Sequence, residues 1–195
     1  MISSLSSIIT EALYKSQVIA EEDKELYTYG FFVLLSKGLF FMVSAFFGWT
    51  LGVLWESIVF YIMFSMLRSY AGGFHAPKES MCICCTTVSL FLSSLSICYM
   101  ERIGNLTIPF CILAVCGAVV YFLAPLDSEE KPLTRTELAL YRQKTREIVI
   151  VIWIISFIGL CTQLPAVLYA LSASVMLESS LLVFGKTVRT CSKVD

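Results

Sequence analysis

"IVIVIWIISFIGLCTQLPAVLYALSASVML", residues 148–177, runs for thirty residues without one charged side chain. As a single straight helix it would be roughly 45 Å long, half as long again as the hydrocarbon core of a bilayer. Pro165 falls inside it. A proline there removes a backbone donor and clashes with the turn before it. The stretch therefore predicts two membrane helices joined by a turn next to Pro165.

The same pattern recurs upstream. Ser80–Met100 and Ile103–Leu126 are free of charge, and residues 29–49 and 52–67 form another apolar pair around Gly48, Trp49, Thr50 and Gly52. Gly48 and Gly52 have the GxxxG spacing that lets helices approach closely. A tight hairpin explains the same two residues. The 195-residue chain is 57% hydrophobic and 15% charged, with a mean hydropathy of +0.80. That leaves too little polar surface for a soluble domain of this size. The expected fold class is all-α, a polytopic membrane protein of about six transmembrane helices preceded by an amphipathic interfacial helix. The expected organisation is one integral membrane domain over 1–195. Residues 1–25 are an interfacial helix and connector, 29–185 carry the six spans, and 186–195 are a cytosolic tail.

The first residues, "MISSLSSIITEALYKSQVIA", lack the basic start and continuous apolar core of a secretory signal. Ile2, Leu5, Ile8, Ile9, Ala12, Leu13 and Ile19 recur at helical spacing instead. That suits a helix lying on the membrane face, or one packed on the bundle end.

Charge distribution gives orientation. With both termini inside, the cytosolic segments hold Lys15, Lys24, Arg68, Lys78, Lys131, Arg135, Arg142, Lys144, Arg146, Lys186, Arg189 and Lys193, and the outer loops hold only Arg102. This is the positive-inside pattern. A net charge of −1 gives no indication of a nucleic-acid partner. The acidic cluster Glu21, Glu22, Asp23 and Glu25 reads as a solvated connector. Lys37, Glu56 and Glu178 lie in apolar surroundings, where a charge needs a partner. Lys37 and Glu178 fall at similar depths, so the expectation is that Lys37 pairs with one of the glutamates. A polar cavity lining is the rival reading.

Cys84, Cys85, Cys98, Cys111, Cys116 and Cys161 sit within apolar runs and read as small core hydrophobes. Metal binding is not expected: "CICC" lacks ligand spacing, and the chain has a single histidine. No cofactor is expected either.

That histidine, His75, and Cys82 lie in "RSYAGGFHAPKESMC", residues 68–82, between the second and third apolar spans. The orientation puts this loop in the reducing cytosol, where a thiol stays free. Pro77 or Ser80 can begin the following helix, which places Cys82 in its first turns. A helix N-terminus stabilises a thiolate, and a histidine can take its proton. Seven residues of straight helix would hold the two side chains roughly 10.5 Å apart, too far for proton transfer. The chain must double back, and Gly72, Gly73, Ala76 and Pro77 permit it. On residue chemistry alone the pair reads either as a catalytic dyad or as an interfacial histidine and a packed cysteine.

Arg68, Gly73, His75 and Cys82 are spaced R-x4-G-x-H-x6-C, flanked by "GGFHAP" and followed by a second cytosolic loop, "APLDSEEKPL", residues 124–133. In these features and in its span pattern the chain resembles the accessory gene regulator B (AgrB) family. The resemblance implies a membrane cysteine endopeptidase of the bacterial cell membrane, multi-pass, with its catalytic loop on the cytosolic side. Its substrate would be an AgrD-like quorum-sensing pro-peptide, cut near an acidic C-terminal tail. Cys82 would be the nucleophile and His75 the general base, with Arg68 and Gly73 in support. The product would be a cyclic thiolactone or lactone. The family resemblance also implies a homodimer, and membrane lipids are expected partners. Lys131 and Arg135 in the second loop are candidates for attracting the acidic tail. Positive-inside topology alone explains them equally. Rival readings are a small transporter or peptide exporter, drawing on Lys37, Glu56 and Glu178, and a non-catalytic scaffold.

Overall fold

Pro165 divides the uncharged run as its backbone chemistry requires. In the computed structural model one helix ends at Cys161 and the next begins on Pro165 itself. Pro165 thus takes the first helical position, where a missing N–H costs nothing. The residues described are 2–73, 79–126 and 134–192, the last four by backbone alone.

Among the described residues seven helices follow one another: α1 (Ile2–Lys15), α2 (Lys24–Leu51), α3 (Leu54–Ala71), α4 (Glu79–Ile103), α5 (Thr107–Leu123), α6 (Arg135–Cys161) and α7 (Pro165–Ser192). A short 3-10 turn, Glu21–Asp23, leads into α2. Among the described residues there is no β-strand, only one isolated bridge between Gly72 and Leu126. The protein is all-α, with the helices of a membrane protein. Three stretches among the described residues are long and apolar enough to cross a bilayer: Glu21–Leu51, Glu79–Ile103 and Pro165–Val188. Helices α3, α5 and α6 occupy the places expected for spans but do not meet that measure. Helix α5 is apolar but has 17 residues. Helix α3 carries Glu56 and Arg68 within its 18 residues. In α6 the uncharged part, Ile148 to Cys161, rises only about 21 Å.

Two compact units divide the chain, residues 1–43 and 44–195. In the first, Ser6 and Thr10 of α1 are buried, and Leu5 and Ile8 are exposed. The buried hydroxyls are satisfied within their own helix: Ser6 Oγ donates to the Ser3 carbonyl and Thr10 Oγ1 to the Ser6 carbonyl. Small polar residues therefore pack inward while bulky apolar ones point out, an arrangement suited to a helix whose apolar face meets lipid. Lys24 Nζ lies 2.9 Å from Glu11 Oε2 and over the Tyr14 ring. Its hydrogen bond and its charge hold the Glu11 carboxyl below the ordinary glutamate range.

In the second unit α7 is the axis. It packs on α3, α4, α5 and α6. Its Leu171, Val175 and Leu182 join Leu67 and Ala71 of α3, Leu113 and Val120 of α5, and Val149 and Ile152 of α6 in the core. Between helices in a membrane the hydrophobic effect contributes little, and close contact through small residues does more. The buried positions follow that rule. Ala170, Ser172, Ala173 and Ser174 are fully buried on α7. A Cβ on Gly48 would fall 2.5 Å from Ser57 Cβ, so both the hairpin and the close approach suggested by Gly48 and Gly52 are present. Ser57 also joins Ser44 and Ser94 through a chain of hydrogen bonds.

The cysteines correct one expectation. Cys98 is buried, but Cys84, Cys85, Cys111 and Cys161 are exposed on the outside of the helices. In a chain whose helices face lipid, an apolar position is not thereby a core position. The hydropathy that suggested core filling serves the outer surface equally.

Candidate active site

The end of α3 is where the fold spends its polar contacts. Arg68, in the last turn, turns its guanidinium back over the residues that leave the helix, and Nη1 donates to the Gly72 carbonyl. The same nitrogen lies 3.8 Å from Oε1 of Glu178, near the middle of α7. The Arg68 side chain is 19% exposed and Glu178 is 0% exposed, so the pair is a buried one. Removing one partner from such a pair leaves an uncompensated charge, at a cost of about 3–5 kcal/mol.

Two glycines follow because nothing larger fits. Gly73 has φ +128°, and a Cβ there would collide with the Arg68 guanidinium. Gly72 has φ +71°, and a Cβ there would strike the Leu126 carbonyl. Leu126, just past α5, in turn donates its N–H to the Ala71 carbonyl at 2.9 Å. Tyr70 meets Tyr141 of α6 edge to face at 5.9 Å between centroids. The first residues after α3 and after α5 are therefore tied to each other.

Cys82 is the fourth residue of α4 and half-buried. It sits where the first-turn N–H groups lack intrahelical acceptors and the helix dipole favours an anion. The sequence placed it in the first turns of the third span, and the helix begins at Glu79 as that requires. His75 and Lys131 lie outside the described residues. Arg135 is exposed at the first position of α6, behind a complete capping box: Glu137 N–H donates to Thr134 Oγ1, and Thr134 N–H donates to the Glu137 carboxylate. Arg142, seven residues on, lies on the same face and is exposed. Arg146, four further, is half-buried with its guanidinium 4.7 Å from the centre of the Tyr121 ring. Beside it, Lys144 pairs with Glu147 at 3.1 Å, and Gln143 and Lys144 together hold the Glu147 carboxyl below its ordinary range.

The structure thus joins Arg68 to Gly73 and sets Cys82 at the start of the next helix. It also supplies what the sequence reading missed, namely that the basic partner of Glu178 is Arg68. The signal was present in the sequence, since Glu178 directly follows the uncharged run and demands a counter-charge. Glu56 lies at the opposite end of these helices and lines a cavity of about 280 Å³ with Glu101, Gln163 and Tyr169.

The family model of accessory gene regulator B matches residues 6–182. The chain belongs to the AgrB family. Two AgrB-like proteins of Clostridium perfringens are similar to it. One, from strain SM101, is 30% identical over 74% of this chain and 69% of its own length. The other, AgrB-like protein 2 of strain 13, is 26% identical over the same shares. No solved structure matches the chain. AgrB membership connects the protein to the processing of agr quorum-sensing peptides, implies an AgrD-like pro-peptide as substrate, and agrees with the apolar helices of a membrane protein.

Proposed function

We propose that this AgrB-family chain is a membrane cysteine endopeptidase that cuts an AgrD-like pro-peptide near its acidic C-terminal tail and promotes cyclisation of the upstream part. Cys82 is the nucleophile and His75 the general base. His75 takes the thiol proton, the thiolate attacks the scissile carbonyl, and the C–N bond breaks. The proton passes to the departing amine, and the tail leaves. The upstream part stays on Cys82 as a thioester. A cysteine or serine of the substrate then attacks that thioester, closing a thiolactone or lactone and returning the enzyme thiol. Excluding water at a membrane rim favours closure over hydrolysis. Amide-to-thioester exchange runs uphill, so removal of the tail must draw the reaction forward, and excess tail peptide should lower the yield of macrocycle.

The observation that supports this reading best is the position of Cys82, four residues into an apolar helix and directly beyond the Arg68–Gly73 turn. Helix dipole and unpaired N–H groups there favour both the thiolate and the oxyanion. The proposal includes six spans with both termini and both loops in the cytosol, a homodimer, and residues 1–195 as one membrane domain. Lys131 and Arg135 draw the acidic tail toward the loops. Co-expression of a pro-peptide with Cys82→Ala and Cys82→Ser tests the chemistry. Loss of cleavage in Cys82→Ala is expected. Cleavage retained in that variant would remove the enzyme reading in favour of a transporter, which should tolerate the change.

A further inference from the structure

The first two turns of α4 carry three thiols, Cys82, Cys84 and Cys85, all free in the structure. Only Cys82 enters the proposed chemistry. Cys82 and Cys85 are the fourth and seventh residues of the helix. Three residues of α-helix stop about 60° short of a full turn, so the two share one face. Their Cα atoms are then about 5 Å apart, inside the range of about 4.4–6.8 Å that a disulfide spans. Cys84 is turned about 160° away from Cys82, on the other side of the helix. Side chains on a helix lean toward its N-terminus. Cys85, which is exposed, therefore leans over the turn that holds Cys82. Cys82, half-buried, leans over the first turn, where the helix dipole favours an anion.

One distance has to close. Cβ atoms one turn apart in a straight helix are about 5–6 Å apart, and a disulfide needs about 3.5–4.5 Å. The first turn of a helix often tightens to 3-10 geometry, in which side chains three apart eclipse. A bond that strains its helix in this way is easily reduced, as regulatory disulfides are and structural ones are not. Disulfides in a reducing cytosol, where the proposed topology puts this end of α4, are of that transient kind.

We infer that Cys82 and Cys85 are a reversible redox pair: a peroxide oxidises Cys82, and Cys85 closes a disulfide on it. The Cys82 thiolate attacks one oxygen of hydrogen peroxide, the O–O bond breaks, and Cys82 becomes a sulfenic acid as hydroxide leaves. The Cys85 sulfur then attacks the Cys82 sulfur, the S–O bond breaks, and the oxygen departs as water with the Cys85 proton. Two thiols are oxidised, and one hydrogen peroxide is reduced to two waters. A dithiol reductant returns both thiols. The disulfide keeps Cys82 from oxidation to sulfinic acid, which a thiol reductant does not reverse. The pairing stands on helix geometry alone. Its consequence, that cleavage stops while the bond is closed, rests on Cys82 as the nucleophile.

The test exposes the purified full chain to hydrogen peroxide, maps the cysteines by alkylation and mass spectrometry, and measures pro-peptide cleavage before and after dithiothreitol. The native chain should show a Cys82–Cys85 disulfide with Cys84 still alkylated. Its cleavage should fall about tenfold or more and return almost fully with dithiothreitol. Cys85→Ser should cleave like the native chain before treatment. After peroxide it should carry sulfinic acid on Cys82 and stay about tenfold or more down despite dithiothreitol. Cys85→Ala serves if Cys85→Ser fails to fold, and Cys84→Ser should behave as the native chain does. Three results would overturn the inference: sulfinic acid on Cys82 equally in the native chain and in Cys85→Ser, a disulfide from Cys82 to another cysteine, or a Cys82 that peroxide leaves as a thiol. If the Cys82–Cys85 bond forms and cleavage continues undiminished, the pair is supported and the assignment of Cys82 as nucleophile falls.

Discussion

The two flanks of residues 74–78 are built in opposite ways. On the α3 side, a half-buried arginine, a buried glutamate, two glycines with positive φ and a backbone bridge fix the chain. On the α4 side, Cys82 is half-buried, with Met81, Cys84 and Cys85 exposed around it. On the proposed reading, geometry is set on the buried flank and the nucleophilic sulfur is presented on the accessible one. A nucleophile has to meet substrate, whereas the group that activates it has to arrive at a fixed place. The contrast explains why the close-fitting features, a charge pair and a turn that only glycine adopts easily, collect on the flank without the sulfur.

The largest effect comes from removing the proposed dyad itself. Cys82→Ala and His75→Ala should each reduce pro-peptide cleavage to background in a membrane assay, and equal losses would mark residues acting as one unit. Gly73→Ala attacks the buried flank. Its backbone strain costs about 1–3 kcal/mol, and the new methyl displaces Arg68 from its place before Glu178. Cleavage should fall about a hundredfold with little change in KM. Native kinetics in Gly73→Ala would break the contrast, because the tight fit at the turn would then be irrelevant to catalysis.

Smaller effects should arise away from both flanks. Arg135→Gln removes an exposed charge at the head of α6. It should raise KM for an acidic-tailed pro-peptide a few-fold, by about 1 kcal/mol or less, and the increase should vanish at high salt. The smallest effect concerns Glu11. Lys24 holds its carboxyl below the ordinary range. A depressed folded-state value means the contribution is fully present above the ordinary glutamate range and is lost as pH falls through the folded value. Protection of the α1 amides, corrected for the intrinsic pH dependence of exchange, should therefore fall at acid pH, and Glu11→Gln should show the lower protection already at neutral pH with pro-peptide cleavage unchanged.

Much of this architecture was legible in the residues. Pro165 marked the break between α6 and α7, the charge-free runs located α4 and α5, and Gly48 and Gly52 located the first hairpin. Positions where charge and helix coincide were harder to read. Helix α6 starts at Arg135, well before the apolar run, because a capping box at Thr134 and Glu137 supports a charged first third. Helix α7 continues through Ser192, since charged side chains do not end a helix. Core and outer surface could not be told apart by hydropathy, as the exposed cysteines demonstrate. Small residues such as Ser172 and Ser174 mark the core instead. The Arg68–Glu178 pair joins residues far apart in the chain, and depth counting favoured Lys37 for want of the helix packing. At the site itself, the spacing of Arg68, Gly73, His75 and Cys82 was visible in the sequence. The reason Gly73 is glycine was not, because it depends on where an arginine five residues earlier folds back.

The most direct measurement is to trap the acyl-enzyme. Purified chain is mixed with pro-peptide, quenched in acid and mapped by mass spectrometry. The expected result is a hydroxylamine-sensitive adduct of the upstream substrate part, lacking the tail, on Cys82, and absent from His75→Ala. An adduct on another of the eight cysteines, or full processing with Cys82 replaced by alanine, would contradict it.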